Sequence, residues 1–302
     1  MQLISRDSRI VSDLSEPDAL VRAGWFVGLT LVLSLAIYIP VIASAHGWIG
    51  VAVPPGLSAL AIFTPAVVAI VLHVYDNGIG GLRTAFRPLI TWRFGLRWWT
   101  VVLGLAPVML GLKHAAYLSL GGALKPAPAA QLDGPLGLAI VPIALLVTLF
   151  LSMGEELGWR GYLLPLLQTR FGAAIASFVL GVCWFAWHIP LQFVPGDANS
   201  GFPLPLWGLS IVATAFVYTW LFNNTGGSVL AVTLFHGLFN TLGPFIALHP
   251  SVTGNPLSAY VLAGVNVTFA VIILALYGTA SFTRPQKTGV TSAGGSNRTC
   301  RS

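Results

Sequence analysis

The chain has 302 residues, of which 56% are hydrophobic and only 8% charged, with a formal net charge of +6. A soluble domain carries about 25% charged residues, so this composition excludes a water-coated globular enzyme and calls for lipid around much of the surface. Two cysteines, Cys183 in an apolar run and Cys300 in a polar tail, exclude a disulfide framework and a thiolate metal cluster.

A helix needs roughly 20 mostly apolar residues to cross about 30 Å of hydrocarbon. Residues 1–23 are polar, hold Asp7, Asp13, Glu16 and Asp18, and read as a cytoplasmic tail. No small-residue cleavage pattern closes the apolar run that follows, so it reads as a first span rather than a removable signal. In chain order the predicted spans cover 24–45, 56–75, 98–120, 136–167, 173–190, 206–222, 228–248 and 257–282. The expected fold is therefore all-α, a polytopic bundle of about eight transmembrane helices. The fourth span is longer than a bilayer requires, which predicts tilt or overshoot. Residues 82–99 mix Arg with Phe and Trp and read as a juxtamembrane anchor. A basic surface helix that recruits anionic lipid or substrate is the sharper alternative. Residues 283–302, rich in Ser, Thr, Gly and Arg, predict a disordered tail. The expected organisation is N-terminal spans over 24–135, a core over 136–250 and a last span within 251–282.

Lys and Arg concentrate on the cytoplasmic side of membrane proteins. Placing the N-terminus inside puts Arg6, Arg9, Arg22, Arg83, Arg87, Arg93, Arg97, Arg170, Arg284, Lys287, Arg298 and Arg301 there. Only Lys113 and Lys125 fall outside, with Arg160 inside a span. The expectation is a multi-pass protein of the cell membrane with both termini cytoplasmic. The basic residues hug span ends, which argues against a nucleic-acid partner.

Ionisable groups in hydrocarbon cost several kcal/mol and survive when they pair, line a cavity or do chemistry. Three places break the apolar rule. The fourth span carries Glu155-Glu156-Leu-Gly-Trp-Arg160-Gly161. Arg160 lies one turn beyond Glu156, so those two can pair and leave Glu155 facing a cavity. A structural ion pair alone is the bland alternative. The fifth span carries Trp184-Phe-Ala-Trp-His188, where Trp184 stacks one turn below His188 and can wall a pocket. The seventh carries His236-Gly-Leu-Phe-Asn240, whose His and Asn share a face and can equally form an interhelical hydrogen-bond pair. Counted from the nearest turns at about 1.5 Å per residue, Glu155, His188 and His236 fall at similar depth.

Glu and His together suit activation of water. The carboxylate takes the proton, and a His or Asn donates to the oxyanion that forms on an attacked carbonyl. Two His and one Glu also match a catalytic zinc set of Glu155, His188 and His236 with an open position for water. Residue spacing does not choose between these chemistries, although the helical His-Glu-x-x-His motif is absent. No Gly-x-Ser-x-Gly elbow surrounds Ser152.

At these residues the chain resembles the CAAX prenyl endopeptidase and bacteriocin-processing family (CPBP, or Abi). That family is marked by Glu-Glu-x-x-x-Arg, an aromatic-x-x-x-His and His-x-x-x-Asn on successive membrane helices. The flanking Arg160-Gly-Tyr-Leu-Leu-Pro and Trp187-His188-Ile-Pro-Leu also look like the family, over roughly residues 140–245. Many members have Phe where this chain has Trp184. The resemblance implies a peptidase acting in or near the membrane on a membrane-associated peptide or protein. By motif position Glu155 would activate the water with help from His188. His236 and Asn240 would bind the oxyanion, or His236 would join a zinc site. Glu156, Arg160 and Trp184 would support them. Bacterial members are often assigned to bacteriocin self-immunity, so a prenylated substrate does not follow. The competing readings are a non-catalytic immunity or scaffold protein that keeps the fold, and a proton-relaying transporter. The transporter would predict repeat symmetry and broken helices, which the sequence does not show. His46, His73 and His249 read as interfacial, Lys113 as snorkelling to the interface, and His114 beside it as without a functional role.

Overall fold

The computed structural model describes residues 16–125 and 135–284. The elements are α1 (Glu16–Ala45), α2 (Thr64–Asn77), α3 (Gly80–Phe86), α4 (Leu96–Ser119) and α5 (Pro135–Gly158). A π turn (Trp159–Leu163) leads from α5 into α6 (Leu164–Gln168). Then come α7 (Ala173–His188), α8 (Leu204–Asn224), α9 (Val229–Ile246), α10 (Pro250–Thr253) and α11 (Pro256–Tyr277). There is no strand among the described residues. Eight helical stretches are long and apolar enough to cross a membrane, at 16–45, 55–77, 96–119, 140–168, 173–193, 204–224, 229–253 and 256–277. The protein is thus a polytopic all-α bundle. Leu, Ile, Val and Phe side chains cover its outer surface, with Val32, Leu146, Phe150 and Leu276 more than half exposed. Hydrocarbon, not water, suits such a surface.

Hydropathy places the span centres well and their ends less well. The first helix starts at Glu16, inside the stretch read as a tail, because Pro17 suits a first helical turn and Glu16 and Asp18 suit its positive pole. The last helix stops at Tyr277, where Gly278 takes a positive φ of 71°, so residues up to Phe282 are not membrane span. They fold back instead: Ala173 N–H donates to Ala280 O and Asn224 Nδ2 donates to Phe282 O. The long fourth span is broken by the π turn, where Leu164 N–H reaches five residues back to Trp159 O. Such turns recur at functional sites. The expected tail lies outside the described residues from 285 onward.

Helices in lipid gain nothing from hiding apolar surface from one another, so close approach and interhelical hydrogen bonds join them. Helix α9 packs against α5 and α4, α8 against α7 and α11, and α2 against α5. The motif glycines make the approach possible. A Cβ at Gly237 would fall 2.6 Å from the Leu149 side chain, and one at Gly158 would fall 2.6 Å from the Pro65 carbonyl carbon. Thr148 Oγ1 on α5 bonds Gly237 O at 3.1 Å and Thr241 Oγ1 at 2.6 Å on α9. Asn266 on α11 donates to Ser210 Oγ on α8 at 2.7 Å.

Two residues expected at the interface lie inside. Lys113 is buried, with Nζ 4.3 Å from the centroid of the Phe239 ring, because its face of α4 turns toward α9 rather than toward lipid. His73 is buried edge-on against Tyr162, with ring centroids 4.9 Å apart.

Candidate active site

The two adjacent acids of α5 take different partners. Glu156 is fully buried, and its Oε1 accepts from Arg160 Nη1 at 2.9 Å and from His236 Nδ1 at 2.9 Å. The expected Glu156–Arg160 pair therefore forms, and His236 joins it from α9. A carboxylate accepts, so this contact places the His236 proton on Nδ1 and turns Nε2 away. Arg160 is also fully buried, with its guanidinium 4.2 Å from the centroids of both the Trp184 and Tyr218 rings. Two aromatic faces and one carboxylate thus replace part of the water that a buried guanidinium loses, while Nε and Nη2 have no hydrogen-bond partner among the described residues.

Glu155 is 8% exposed, and its Oε2 accepts from Trp184 Nε1 at 2.9 Å. No other hydrogen bond reaches its carboxylate among the described residues, which leaves Oε1 for water or a ligand. His188 is half-buried at the end of α7, and its Nδ1 lies 2.8 Å from Trp184 O. A carbonyl can only accept, so Nδ1 carries the proton and Nε2 keeps the lone pair. The charge of Glu155 and the ring of His236 both act electrostatically on His188.

Trp184 is the hub. It donates to Glu155 and makes edge contacts with His188 (5.4 Å between centroids), His236 (5.9 Å) and Tyr218 (5.5 Å). Glu155, Glu156, Arg160, Trp184, His188 and His236 thus form one cluster, from α5 with its π turn, α7 and α9. Asn240 stands apart. It is exposed one turn beyond His236 and holds no hydrogen bond within the cluster. The three zinc candidates do not converge: among the described residues no set of three His, Cys, Asp or Glu side chains is arranged to hold one metal ion. The groups present do not fit a metal centre in this arrangement.

Three further residues belong to the site and were not singled out from sequence. Tyr218 on α8 completes the aromatic sandwich around Arg160. Ser34 on α1 accepts from Trp187 Nε1 at 2.7 Å, next to His188. Tyr38, one turn further on α1, is fully buried with no partner for its hydroxyl, and Glu155 acts on it electrostatically. A signal for the α1 residues exists. Thr30, Ser34 and Tyr38 continue the buried stripe Ala19, Ala23 and Phe26 at helical spacing, so polar groups interrupt a packing face.

The family model for Type II CAAX prenyl endopeptidase Rce1-like proteins matches residues 137–242. The CAAX prenyl protease 2 of Methanococcus maripaludis is 30% identical over 156 residues, which make up 49% of this chain and 56% of that protein. The chain therefore matches little more than half the length of this curated relative. The matched segment holds every residue of the three motifs, and the cluster that joins them is built almost wholly within it. Through residues 137–242 the chain is similar to Rce1-like CAAX prenyl endopeptidases.

Proposed function

We propose that the protein is an intramembrane endopeptidase in which Glu155 activates the attacking water. The observation that carries this reading is the unequal partnering of the two adjacent acids. Glu156 is ion-paired and closed off, its Oε1 shared by Arg160 and His236 and its buried Oε2 without a partner, whereas Glu155 is slightly exposed and takes only a neutral donor, and His188 on the neighbouring α7 keeps Nε2 free of protein hydrogen bonds. Water held between Glu155 Oε1 and His188 Nε2 would lose a proton to Glu155 as its oxygen attacks a peptide carbonyl carbon. The oxyanion that forms takes hydrogen bonds from donors on α9, His236 Nε2–H and Asn240 Nδ2. Donation from Nε2 requires the imidazolium form of His236, for which Glu156 is the counter-ion. Collapse of the intermediate breaks the C–N bond, and Glu155 returns its proton to the leaving amine.

The substrate class proposed is a peptide or protein at the membrane. The printed name of the Methanococcus relative points to prenylated substrates, so a prenylated peptide is one arm of the test. The protein is purified in detergent and incubated with a peptide library, beside Glu155→Ala, His188→Ala and His236→Ala. Loss of cleavage in all three supports the reading, and cleavage unchanged in Glu155→Ala ends it. The same preparation is analysed for metal. Stoichiometric zinc with cleavage lost to a chelator would replace this water mechanism by a metal centre on Glu155, His188 and His236. Biological rescue by the Glu155→Ala protein would favour the non-catalytic scaffold.

A further inference from the structure

Helix α1 lies outside residues 137–242 that match the family model, yet it reaches the site. Ser34 Oγ accepts from Trp187 Nε1 at 2.7 Å, which fixes α1 against the residue next to His188. Tyr38 stands one turn further on the same face of α1. It belongs to a small apolar cluster with Val41, Ala61 and Val194, bordered by Leu191. These neighbours locate it. Leu191 and Val194 lie in the turn that follows His188. Ala61 precedes Ile62 and Phe63, which press on α5 at Gly154: a Cβ added there would fall 2.6 Å from the Phe63 ring and 3.2 Å from Ile62 O. Gly154 adjoins Glu155. Tyr38 therefore stands between the turn that ends α7 and the stretch of α5 that carries Glu155.

Packing accounts for the ring of Tyr38 but not for its hydroxyl. The residue is fully buried, and Oη has no hydrogen-bond partner among the described residues. Buried tyrosine hydroxyls usually find a partner. A phenylalanine would fill the same space without stranding a polar group, which is costly in a bundle surrounded by lipid. Two carboxylates act on this hydroxyl electrostatically, those of Glu155 and Asp197. Asp197 is engaged elsewhere, since its Oδ1 accepts from both Asn199 N and Asn199 Nδ2. Glu155 takes one bond, from Trp184, and has accepting capacity left.

We propose that Tyr38 is a further catalytic residue, whose phenolic O–H holds the water that Glu155 activates. This inference rests on the peptidase reading and adds a group to its site. A water molecule brings two protons and two lone pairs. In that reading Glu155 Oε1 and His188 Nε2 take the protons, and one lone pair attacks the carbonyl carbon. The remaining lone pair accepts from Tyr38, so the attacking pair has a single direction open to it. On attack the C–O bond forms, one water proton passes to Glu155, and the carbonyl π pair moves onto the oxyanion. Tyr38 keeps its own proton, and its hydrogen bond follows the oxygen into the tetrahedral intermediate. A neutral donor suits this place. A cation there would pair with Glu155, as Arg160 pairs with Glu156, and occupy the oxygen that has to take the proton.

The full chain purified in detergent tests it, with the library peptide that the unchanged protein cleaves fastest. Tyr38→Phe deletes the hydroxyl and keeps the ring. Its kcat should fall roughly ten- to a hundredfold with KM within about twofold, and its thermal midpoint should hold or rise. Val41→Ala loosens the same apolar cluster, so it should lower the midpoint and keep kcat within about twofold. A Tyr38→Phe protein that turns over as fast as the unchanged one overturns the proposal. So does a midpoint that falls as far in Tyr38→Phe as in Val41→Ala, or a kcat that falls as far in Val41→Ala as in Tyr38→Phe, because packing would then explain the loss. Glu155→Gln runs beside them. Full cleavage by Glu155→Gln, or none by the unchanged protein, ends the peptidase reading and this inference with it. Loss of cleavage in Glu155→Gln with full turnover in Tyr38→Phe ends this inference alone.

Discussion

Glu155 and Glu156 are neighbours in the chain, yet Glu156 shares one oxygen between Arg160 and His236 while Glu155 receives a single bond from the Trp184 indole. Successive helix residues point about 100° apart, enough to aim one acid into the packed side of α5 and the other toward α7. The buried half binds charge to charge and holds α5 to α9. The other half holds a carboxylate in place with a neutral donor. Burial with complementary charge fixes a scaffold, whereas burial with one neutral donor leaves a carboxylate oxygen for a further partner.

The strongest challenge to that contrast is Glu155→Gln. The amide can still accept from Trp184 but cannot take a proton. Cleavage should fall by about 10²–10⁴-fold, the usual worth of a general base, with the thermal midpoint in detergent near that of the unchanged protein. A large loss of stability would place Glu155 in the scaffold instead. Glu156→Ala should do the reverse. It strands Arg160 and His236 inside the bundle, which costs about 3–5 kcal/mol when a buried pair loses one partner. A thermal midpoint unchanged in Glu156→Ala would break the comparison.

Smaller effects sharpen it. Trp184→Phe keeps the ring but removes the N–H, and a hydrogen bond to a charged group is worth about 1.5–3 kcal/mol. Turnover should drop roughly ten- to a hundredfold with KM little changed; unchanged turnover would mean that the indole only fills space. The smallest change is expected at Tyr218. Tyr218→Leu removes one aromatic face from Arg160, worth about 2 kcal/mol where the cation is desolvated, whereas Tyr218→Phe keeps that face. Equal midpoints for the two variants would remove the aromatic sandwich from the account.

Much of the site is legible in sequence because its residues violate local expectation. A Glu, an Arg or a His in an apolar run is conspicuous wherever the fold places it. The i,i+4 spacing of Glu156 and Arg160 reads directly as a pair, and the bundle makes that pair. Tyr218 and Trp187 are less visible, since aromatic residues are common in spans and only their neighbours give them roles. Lys113 misleads for the opposite reason. Its stem is long enough to snorkel, and only the rotation of α4 shows that it faces Phe239 instead.

Hydropathy alone determined that the chain carries eight apolar stretches long enough to cross a membrane and which of them hold the acids and imidazoles. Hydropathy and rise per residue are local properties that survive any packing. The tertiary structure alone decided which acid is ion-paired and which takes a neutral donor, that Trp184 lies between them, and that the fourth span carries a π turn. Those outcomes depend on how far each helix is turned about its own axis. That rotation is set by contacts such as Gly237 against Leu149 and Gly158 against Pro65, between residues far apart in the chain.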